Sequence, residues 1–406
     1  MHRQGLLESL KNYTPLDEHD QKNLEALRAF IQKNPHGFDR NSKEGHVTAS
    51  AWILNPTKTA VLLTHHKKLK KWIQLGGHCD GNPDTLAVAL REAKEESGIE
   101  KIVPLTEEIY DIGIHEIPER EDEPAHVHYD VRYLLQTTVC DRLHISDESI
   151  DLQWVPLKKL ADFPADDSAL KFIPKWKRHI ERTHQPLIKQ LQQYEHVIWD
   201  WNGTLLNDME LVIDVIGEQL IEQKLPVPSI SEYRNIFAFP VIDYYKKLGF
   251  SFEKHSFHDF AVRYTRQYEE RVKEIHLFDG AREMLEVLVT QGMHQSILSA
   301  AMQEHLEMVT AHFQVRNHFS GVYGVSDCYG ASKVDRGKDL INESHIPREK
   351  TILVGDTDHD LAVGKELGIE VLLIADGHQS YDRLQKVHPN VLQSRYSHKR
   401  HPDPVS

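Results

Sequence analysis

Residues 76–100 read GGHCDGNPDTLAVALREAKEESGIE. A helix pattern runs from Asp84 to Ser97 and stops at Gly98, a residue suited to the left-handed position that ends a helix. Asn82 is the expected cap, with Pro83 at the first helical position. On this helix Glu92, Glu95 and Glu96 stand at i, i+3 and i+4, so their carboxylates share one face. Such like charges repel by roughly 0.2–0.5 kcal/mol per pair. Leu86, Leu90 and Ala93 mark the neighbouring face for burial. Three carboxylates beside a buried stripe make chemical sense when a divalent cation occupies them. Mg²⁺ or Mn²⁺ takes oxygen ligands and leaves positions for phosphate and water. The competing interpretation is a solvated acidic face. Arg91 is placed to orient Glu92.

Around this helix the text is strand-like: HVTASAWIL, AVLLTHH and WIQLGG before it, VHYDVRYLLQTTV and LQWVPL after it. Two amphipathic helical stretches precede them, and a further helix is expected within 167–183. The chain changes character near 185–194. Beyond that point short apolar strands (HVIWD, HQSILS, GVYGV, TILVGD, VLLIA) alternate with helices, the pattern of a parallel, doubly wound sheet. The division expected is a helical extension at 1–40, a first domain at 41–184, a linker at 185–194, a second domain at 195–390 and a flexible tail at 391–406. With 406 residues, two domains are the natural count.

Bulk properties narrow the function classes. Hydrophobic residues make up 40% and charged residues 27%, a globular balance. A net charge of −14 gives no electrostatic support for coating nucleic acid or an anionic membrane. The lysine run at Lys67, Lys68, Lys70 and Lys71 is a local exception, better understood as a solvated loop than as an anion trap. Three cysteines, Cys79, Cys140 and Cys328, have no metal-ligand spacing and suit a reducing compartment. The early charges of MHRQGLLESLKNYT do not fit a signal peptide, and no apolar run is long enough to span a bilayer. A cytoplasmic protein is expected.

In open parallel sheets the active site gathers at the carboxyl ends of the strands. Asp200 ends VIWD, Ser299 ends SILS, Asp356 ends TILVGD, and Lys333 lies in GASKVDRGKDL after GVYGV. A carboxylate, a hydroxyl, a lysine and a second acid form a set suited to phosphoryl transfer. The carboxylate attacks phosphorus while the cationic groups offset charge on the equatorial oxygens. Lys338 competes with Lys333 but sits inside a helix pattern, so Lys333 is preferred.

The first stretch resembles the Nudix box, with Gly77, Arg91, Glu92, Glu95, Glu96, Gly98 and Ile99 in place. Pro83 stands where the box has its first glutamate, and Ala93 replaces a bulky aliphatic. The resemblance implies an α/β/α sandwich that cleaves a nucleoside diphosphate-X linkage with Mg²⁺ or Mn²⁺. Glu92 and Arg91 are then catalytic, and Glu92, Glu95 and Glu96 hold the metal. Gly77, His78, His126, His128 and Asp130 are candidates for substrate contact, the last three alternating on one strand face. Glu148 and Asp151 are weaker acidic candidates.

The second stretch, Asp200-Trp201-Asn202-Gly203-Thr204-Leu205 with Ser299, Lys333 and Gly355-Asp356-Thr357-Asp358-His359-Asp360, resembles the four motifs of the haloacid-dehalogenase (HAD) superfamily. That implies a Rossmann-like sheet with a helical cap at about 208–278 and dephosphorylation of a small monoester through an aspartyl-phosphate. Asp200, Ser299 and Lys333 are the catalytic set. Asp200, Asn202, Asp356 and Asp360 hold the metal, and Gly203 and Thr204 contact substrate. Asn202 occupies the position of the usual proton donor. Tyr244, Tyr245 and Arg263 are candidate cap selectors. The whole is expected to be a bifunctional, α/β and α+β hydrolase acting on small phosphorylated metabolites and nucleoside diphosphate derivatives. The alternative is a phosphometabolite-binding regulatory protein with one or both modules weakened at Pro83 and Asn202.

Overall fold

The computed structural model describes residues 3–42, 44–119, 124–138, 143–325 and 333–396. The chain forms two compact units, residues 1–176 and 177–406. The boundary falls inside the helix Asp167–Thr183.

In the first unit the strand His46–Leu54 lies at the centre of an eight-stranded mixed sheet. It runs parallel to His126–Thr137 and antiparallel to Ala60–His66 and Leu75–His78. Alternation divides its residues between two faces. Val47, Ala49, Ala51 and Ile53 share a core with Val88, Ala89 and Ala93 of the helix Thr85–Ser97. On the other face Trp52 packs at a tilt against Phe172, their ring centroids 5.0 Å apart. The expected N-terminal extension is instead part of this core. Leu6 and Leu10 of the helix Gln4–Asn12, and Leu24, Leu27 and Ile31 of Glu18–Lys33, are buried in the same cluster. Both helices are amphipathic, and the apolar stripe has to be covered by something.

A chain of buried charges ties this unit together. Arg132 donates to Asp111 at 2.6 Å and to Asp130 at 2.7 Å, while Lys175 pairs with both Asp111 and Asp20. Burial pushes the Asp111 carboxyl up, but Arg132 and Lys175 outweigh it and hold the group well below the usual carboxylate range. Asp111 opens the strand Asp111–Ile117, where Ile112 is buried beside it.

The second unit is a six-stranded, all-parallel sheet. Its order is Gly321–Val325, His294–Met302, His196–Trp199, Thr351–Gly355, Glu370–Ile374, Val391–Leu392. Helices such as Lys333–Ser344 and Asp358–Leu367 pack on it around Ile198, Leu298, Leu353 and Leu373. Between the first two strands in sequence come the helices Met209–Glu222, Ile230–Ile236, Val241–Lys247 and Phe257–Arg271, which form the cap. A two-stranded ribbon, Leu206–Asn207 against His276–Leu277, closes its base.

Two expectations for this unit need correction. The stretch foreseen as a linker contains the helix Gln185–Leu191, whose Leu187, Ile188 and Leu191 are buried. The stretch foreseen as a flexible tail begins as an edge strand, with Val391 opposite Leu373. Arg395 is buried, its guanidinium donating to the Thr204 carbonyl and to Asp376. Residues 397–406 lie outside the described residues.

Removing one member of a buried ion network leaves its partner charged and unpaired, which typically costs about 3–5 kcal/mol. Asp111→Asn is therefore expected to lower the urea stability of the first unit by about that much. Because the folded carboxyl is depressed, its contribution is present above the unfolded value of about 3.9 and is lost as pH falls through the folded one.

Candidate active sites

The helix Thr85–Ser97 starts two residues later than the expected cap and first helical residue place it. Asp84, not Asn82, is its cap and accepts from the Ala87 amide at 3.0 Å. Asn82 is occupied in the preceding turn, accepting from the Asp84 amide at 3.0 Å. Gly98 ends the helix at φ +71°, as expected. Ala93 is fully buried against the sheet, with Leu86 and Leu90 only partly so.

Two of the three glutamates turn inward toward the strand Leu75–His78. Glu96 accepts from the Gly76 amide at 2.9 Å. The Glu92 carboxylate lies over Gly77, where a Cβ would come within 2.6 Å of it, so a side chain there would push the carboxylate from its place. Arg91 donates to Glu92 at 2.6 Å and to the His78 carbonyl at 3.0 Å, holding the carboxylate against the strand. Glu95 is different: its side chain is 63% exposed and 3.9 Å from Arg91. The three carboxylates do not converge on one point within 4.8 Å.

Burial raises Glu96 to about 8, with Glu92 and Glu148 adding to the rise. Glu92 is raised by burial too, against the opposing pull of Arg91. Glu148 thus belongs electrostatically to this group. Buried carboxylates that repel one another are the donor set a hard divalent cation satisfies, so these residues fit Mg²⁺ or Mn²⁺. Glu92 and Glu96 would hold it, with Glu95 and Glu148 at the rim.

The substrate candidates on the strand His126–Thr137 separate into two kinds. Asp130 is buried and accepts from Ser50 at 2.6 Å, Thr48 at 3.1 Å, Gln74 at 3.2 Å and Arg132 at 2.7 Å. Its oxygens are used in tying strands together and it is not presented to a ligand. His126 and His128 lie at the end of the strand, their Nε2 atoms 3.0 Å apart. His78 accepts from Arg40 through Nδ1 at 2.6 Å.

In the second unit three carboxylates from two strand ends and a helix converge. Asp200, Asp356 and Asp360 each place an oxygen within 4.8 Å of the others, all fully or nearly buried. Lys333 bridges two of them, donating to Asp200 at 2.6 Å and Asp360 at 2.7 Å. It is the first described residue of the helix Lys333–Ser344 rather than part of a loop, whereas Lys338 is exposed and pairs with Asp335 at 3.1 Å. Burial raises Asp200, and Asp360 and Asp356 add to it while Lys333 opposes. Burial likewise raises Asp356. Three crowded carboxylates sharing a single ammonium remain short of positive charge, and this donor set also fits Mg²⁺.

The loop after Asp200 is shaped by its glycine. Gly203 has φ +71°, and a Cβ there would meet Asp356 Oδ2 at 2.4 Å. Thr204 donates to Asp356 at 2.9 Å, so it braces a carboxylate instead of facing outward. Ser299 is buried and accepts from the Ala301 amide at 3.1 Å. The Asn202 amide donates to Asp208 and to the Tyr268 hydroxyl, both at 2.7 Å.

Above these residues lies a cavity of about 240 Å³. Its cap side is aromatic, with Tyr233, Phe237, Phe239, Tyr244, Tyr245 and Tyr264 in its lining. Arg263 is not in the lining and pairs with Glu222 at 2.7 Å. Asp208 and His378 are site residues that sequence reasoning does not single out. Burial lowers His378, but Asp208, 3.2 Å away, and Asp356 outweigh it and raise the imidazole to about 9. His378 follows the strand Glu370–Ile374, so the strand-end rule that found Asp200 and Asp356 extends to it.

These two sites, one on a glutamate helix against a glycine strand and one at parallel strand ends beneath a cap, belong to two hydrolase classes. A NUDIX domain model matches residues 44–176 and a haloacid dehalogenase-like hydrolase model matches residues 197–374. The chain is a fusion of a NUDIX domain with a haloacid dehalogenase-like hydrolase domain. It is similar to a 5'-nucleotidase of Pseudomonas aeruginosa, 24% identical over 203 residues, covering 48% of this chain and 90% of that protein. It is also similar to the tyrosine-protein kinase PtkA of Mycobacterium tuberculosis, 25% identical over 48% of this chain and 67% of that protein. Among solved structures, a haloacid dehalogenase-like family hydrolase from Streptococcus pneumoniae aligns with 20% identity and a TM-score of 0.43, over 49% of this chain and 93% of that one. Among the described residues no helix is long and apolar enough to cross a membrane.

A cation on Glu92 and Glu96 has to displace the proton that burial keeps on Glu96. Mn²⁺ affinity at this site is expected to rise with pH up to about 8 and then level off. In Glu96→Gln that rise should flatten, as read by Mn²⁺ titration at several pH values.

Proposed function

We propose that the chain is a bifunctional, Mg²⁺-dependent hydrolase. The first unit cleaves the diphosphate linkage of a nucleoside diphosphate derivative, and the second removes phosphate from a small monoester. The observation that carries this reading is the Lys333-bridged group of Asp200, Asp356 and Asp360 beneath a cavity lined by aromatic side chains. A regulatory binding protein has no need to bury three mutually repelling carboxylates around one lysine.

In the second unit Asp200 is the nucleophile. A bond forms from its carboxylate oxygen to phosphorus as the bond to the leaving oxygen breaks, giving an aspartyl-phosphate that water then hydrolyses. Lys333 and Ser299 face the phosphoryl oxygens, and Asp200, Asp356 and Asp360 would hold a divalent cation, which would supply further positive charge there. Asn202 cannot protonate the leaving oxygen, so substrates with good leaving groups are favoured. The aromatic lining suits a substrate that carries an aromatic ring, a class consistent with the 5'-nucleotidase among the relatives, and with Asn202 in the donor position release of an alkoxide from it would be slow. In the first unit Arg91 positions Glu92, and Glu92 with Glu96 would hold a divalent cation able to offset diphosphate charge. Diphosphate cleavage yields a monophosphate, which is the kind of substrate the second unit takes. Its odd set of cysteines, with Cys79 buried, suits a cytoplasmic setting.

The test is a panel of nucleotide sugars, dinucleotides, nucleoside monophosphates and sugar phosphates with Mg²⁺, run on wild type, Glu96→Gln and Asp200→Asn. Each substitution should silence only its own activity, by about 10²-fold or more. Turnover by both variants equal to wild type would refute the assignment.

Asn202→Asp would set a carboxylate beside Asp208, and two such neighbours share a proton. Turnover on alkyl phosphates should rise about tenfold or more, toward the 10²–10⁴-fold a general acid supplies. Aryl phosphates of acidic phenols should change little. Equal rates on alkyl esters before and after would sink the proton-donor argument.

A further inference from the structure

Four imidazoles crowd one end of the first unit's sheet, outside the machinery described above. The sheet register explains how they meet. His46 lies opposite His128 in the parallel pair, and Thr48 lies opposite His78 in the antiparallel pair. The His46 ring centroid is 4.6 Å from that of His128, 5.0 Å from His78 and 5.0 Å from His126. His46, His78 and His128 can each place a ring nitrogen within 4.8 Å of the other two. Strand alternation puts His78 on the face opposite that of Gly77, which meets Glu92. The histidine group is therefore separate from the glutamate site.

We propose that His46, His78 and His128 bind one divalent transition-metal ion of the Zn²⁺ or Co²⁺ class, with His126 as a positioning residue. Neutral imidazole nitrogens suit such borderline ions and not Mg²⁺. Donors on a tetrahedral ion with bonds of about 2.0–2.1 Å lie roughly 3.3–3.4 Å apart, so side-chain shifts of order 1 Å close the site.

The hydrogen bonds assign the lone pairs. His126 Nδ1 faces the Pro124 carbonyl at 2.8 Å and must donate to it. In a neutral ring its Nε2 then accepts, so the contact at 3.0 Å is a donation from His128 Nε2. That fixes His128 with Nδ1 as its ligating atom, the outer-shell orientation that metal-bound histidines commonly have. Arg40 donates to His78 Nδ1 at 2.6 Å and competes with an ion for that lone pair. Three neutral ligands leave the ion's double charge intact and a position open for an oxyanion.

The experiment titrates Co²⁺ into the full chain in excess Mg²⁺, which occupies the carboxylate sites, and follows the visible absorption of low-coordinate Co²⁺. One equivalent is expected to bind with that spectrum, and Zn²⁺ should displace it. His128→Gln and His46→Gln should each weaken binding at least tenfold while far-ultraviolet circular dichroism stays that of wild type. If either variant unfolds, the half-buried His78→Gln serves in its place. Arg40→Ala should leave affinity equal or higher. The proposal is overturned if wild type binds no equivalent, if the folded histidine variants bind as wild type does, or if Arg40→Ala abolishes the site. Because the readout is spectroscopic, these outcomes stand apart from the success or failure of the hydrolase reading.

Discussion

Like charges cannot be packed into a protein interior without a counter-charge, and this constraint organises the second unit. Asp200 and Asp356 leave adjacent parallel strands side by side, and Asp360 rises from the helix that follows. The Lys333 ammonium enters between Asp200 and Asp360, and Thr204 and the His378 amide hold Asp356. Every nearby irregularity serves that packing. Gly203 lacks a side chain because a carboxylate fills the space, and the capping box of Thr357 and Asp360 fixes where the helix begins. A single ammonium does not neutralise three acids, which leaves a standing affinity for cationic partners and for the phosphoryl group they accompany.

The first unit solves a related problem differently. Arg132 bridges Asp111 and Asp130, Lys175 bridges Asp111 and Asp20, and neutral donors such as Tyr13, Ser50 and Gln74 take up the remaining carboxylate oxygens, giving a sheet interior fixed by directional bonds. Glu92 and Glu96 have only Arg91 and one amide, so they remain raised and receptive. Saturated charges thus build the scaffold, and undersaturated ones mark its reactive surface.

Much of this was legible in the sequence, for local reasons. Strand-end acids follow from the apolar runs that precede them, and the i, i+3, i+4 glutamates follow from helix geometry. What escaped notice depended on non-local register. Asp130 alternates with His126 and His128 and so looked like part of one polar face. Its partners Ser50, Thr48 and Gln74 come from other strands, and no spacing reveals them. His46 gave no signal, because its neighbour His128 is far along the chain. Glu95 obeys the helical period, yet helix rotation against Gly76 and Gly77 admits two glutamates and turns the third outward. The tail was misjudged because a strand as short as Val391–Leu392 has no periodicity to detect, only an unpaired sheet edge to join.

The ribbon of Leu206–Asn207 and His276–Leu277 has an architectural consequence. The cap leaves and rejoins the sheet at neighbouring points, so the sheet experiences residues 208–275 as it would a tight turn. Replacing that lobe with another of different size would leave strand order, helix packing and the carboxylate cluster undisturbed. Selectivity and chemistry can then diverge independently, the one by exchange of the lid and the other by single changes beneath it.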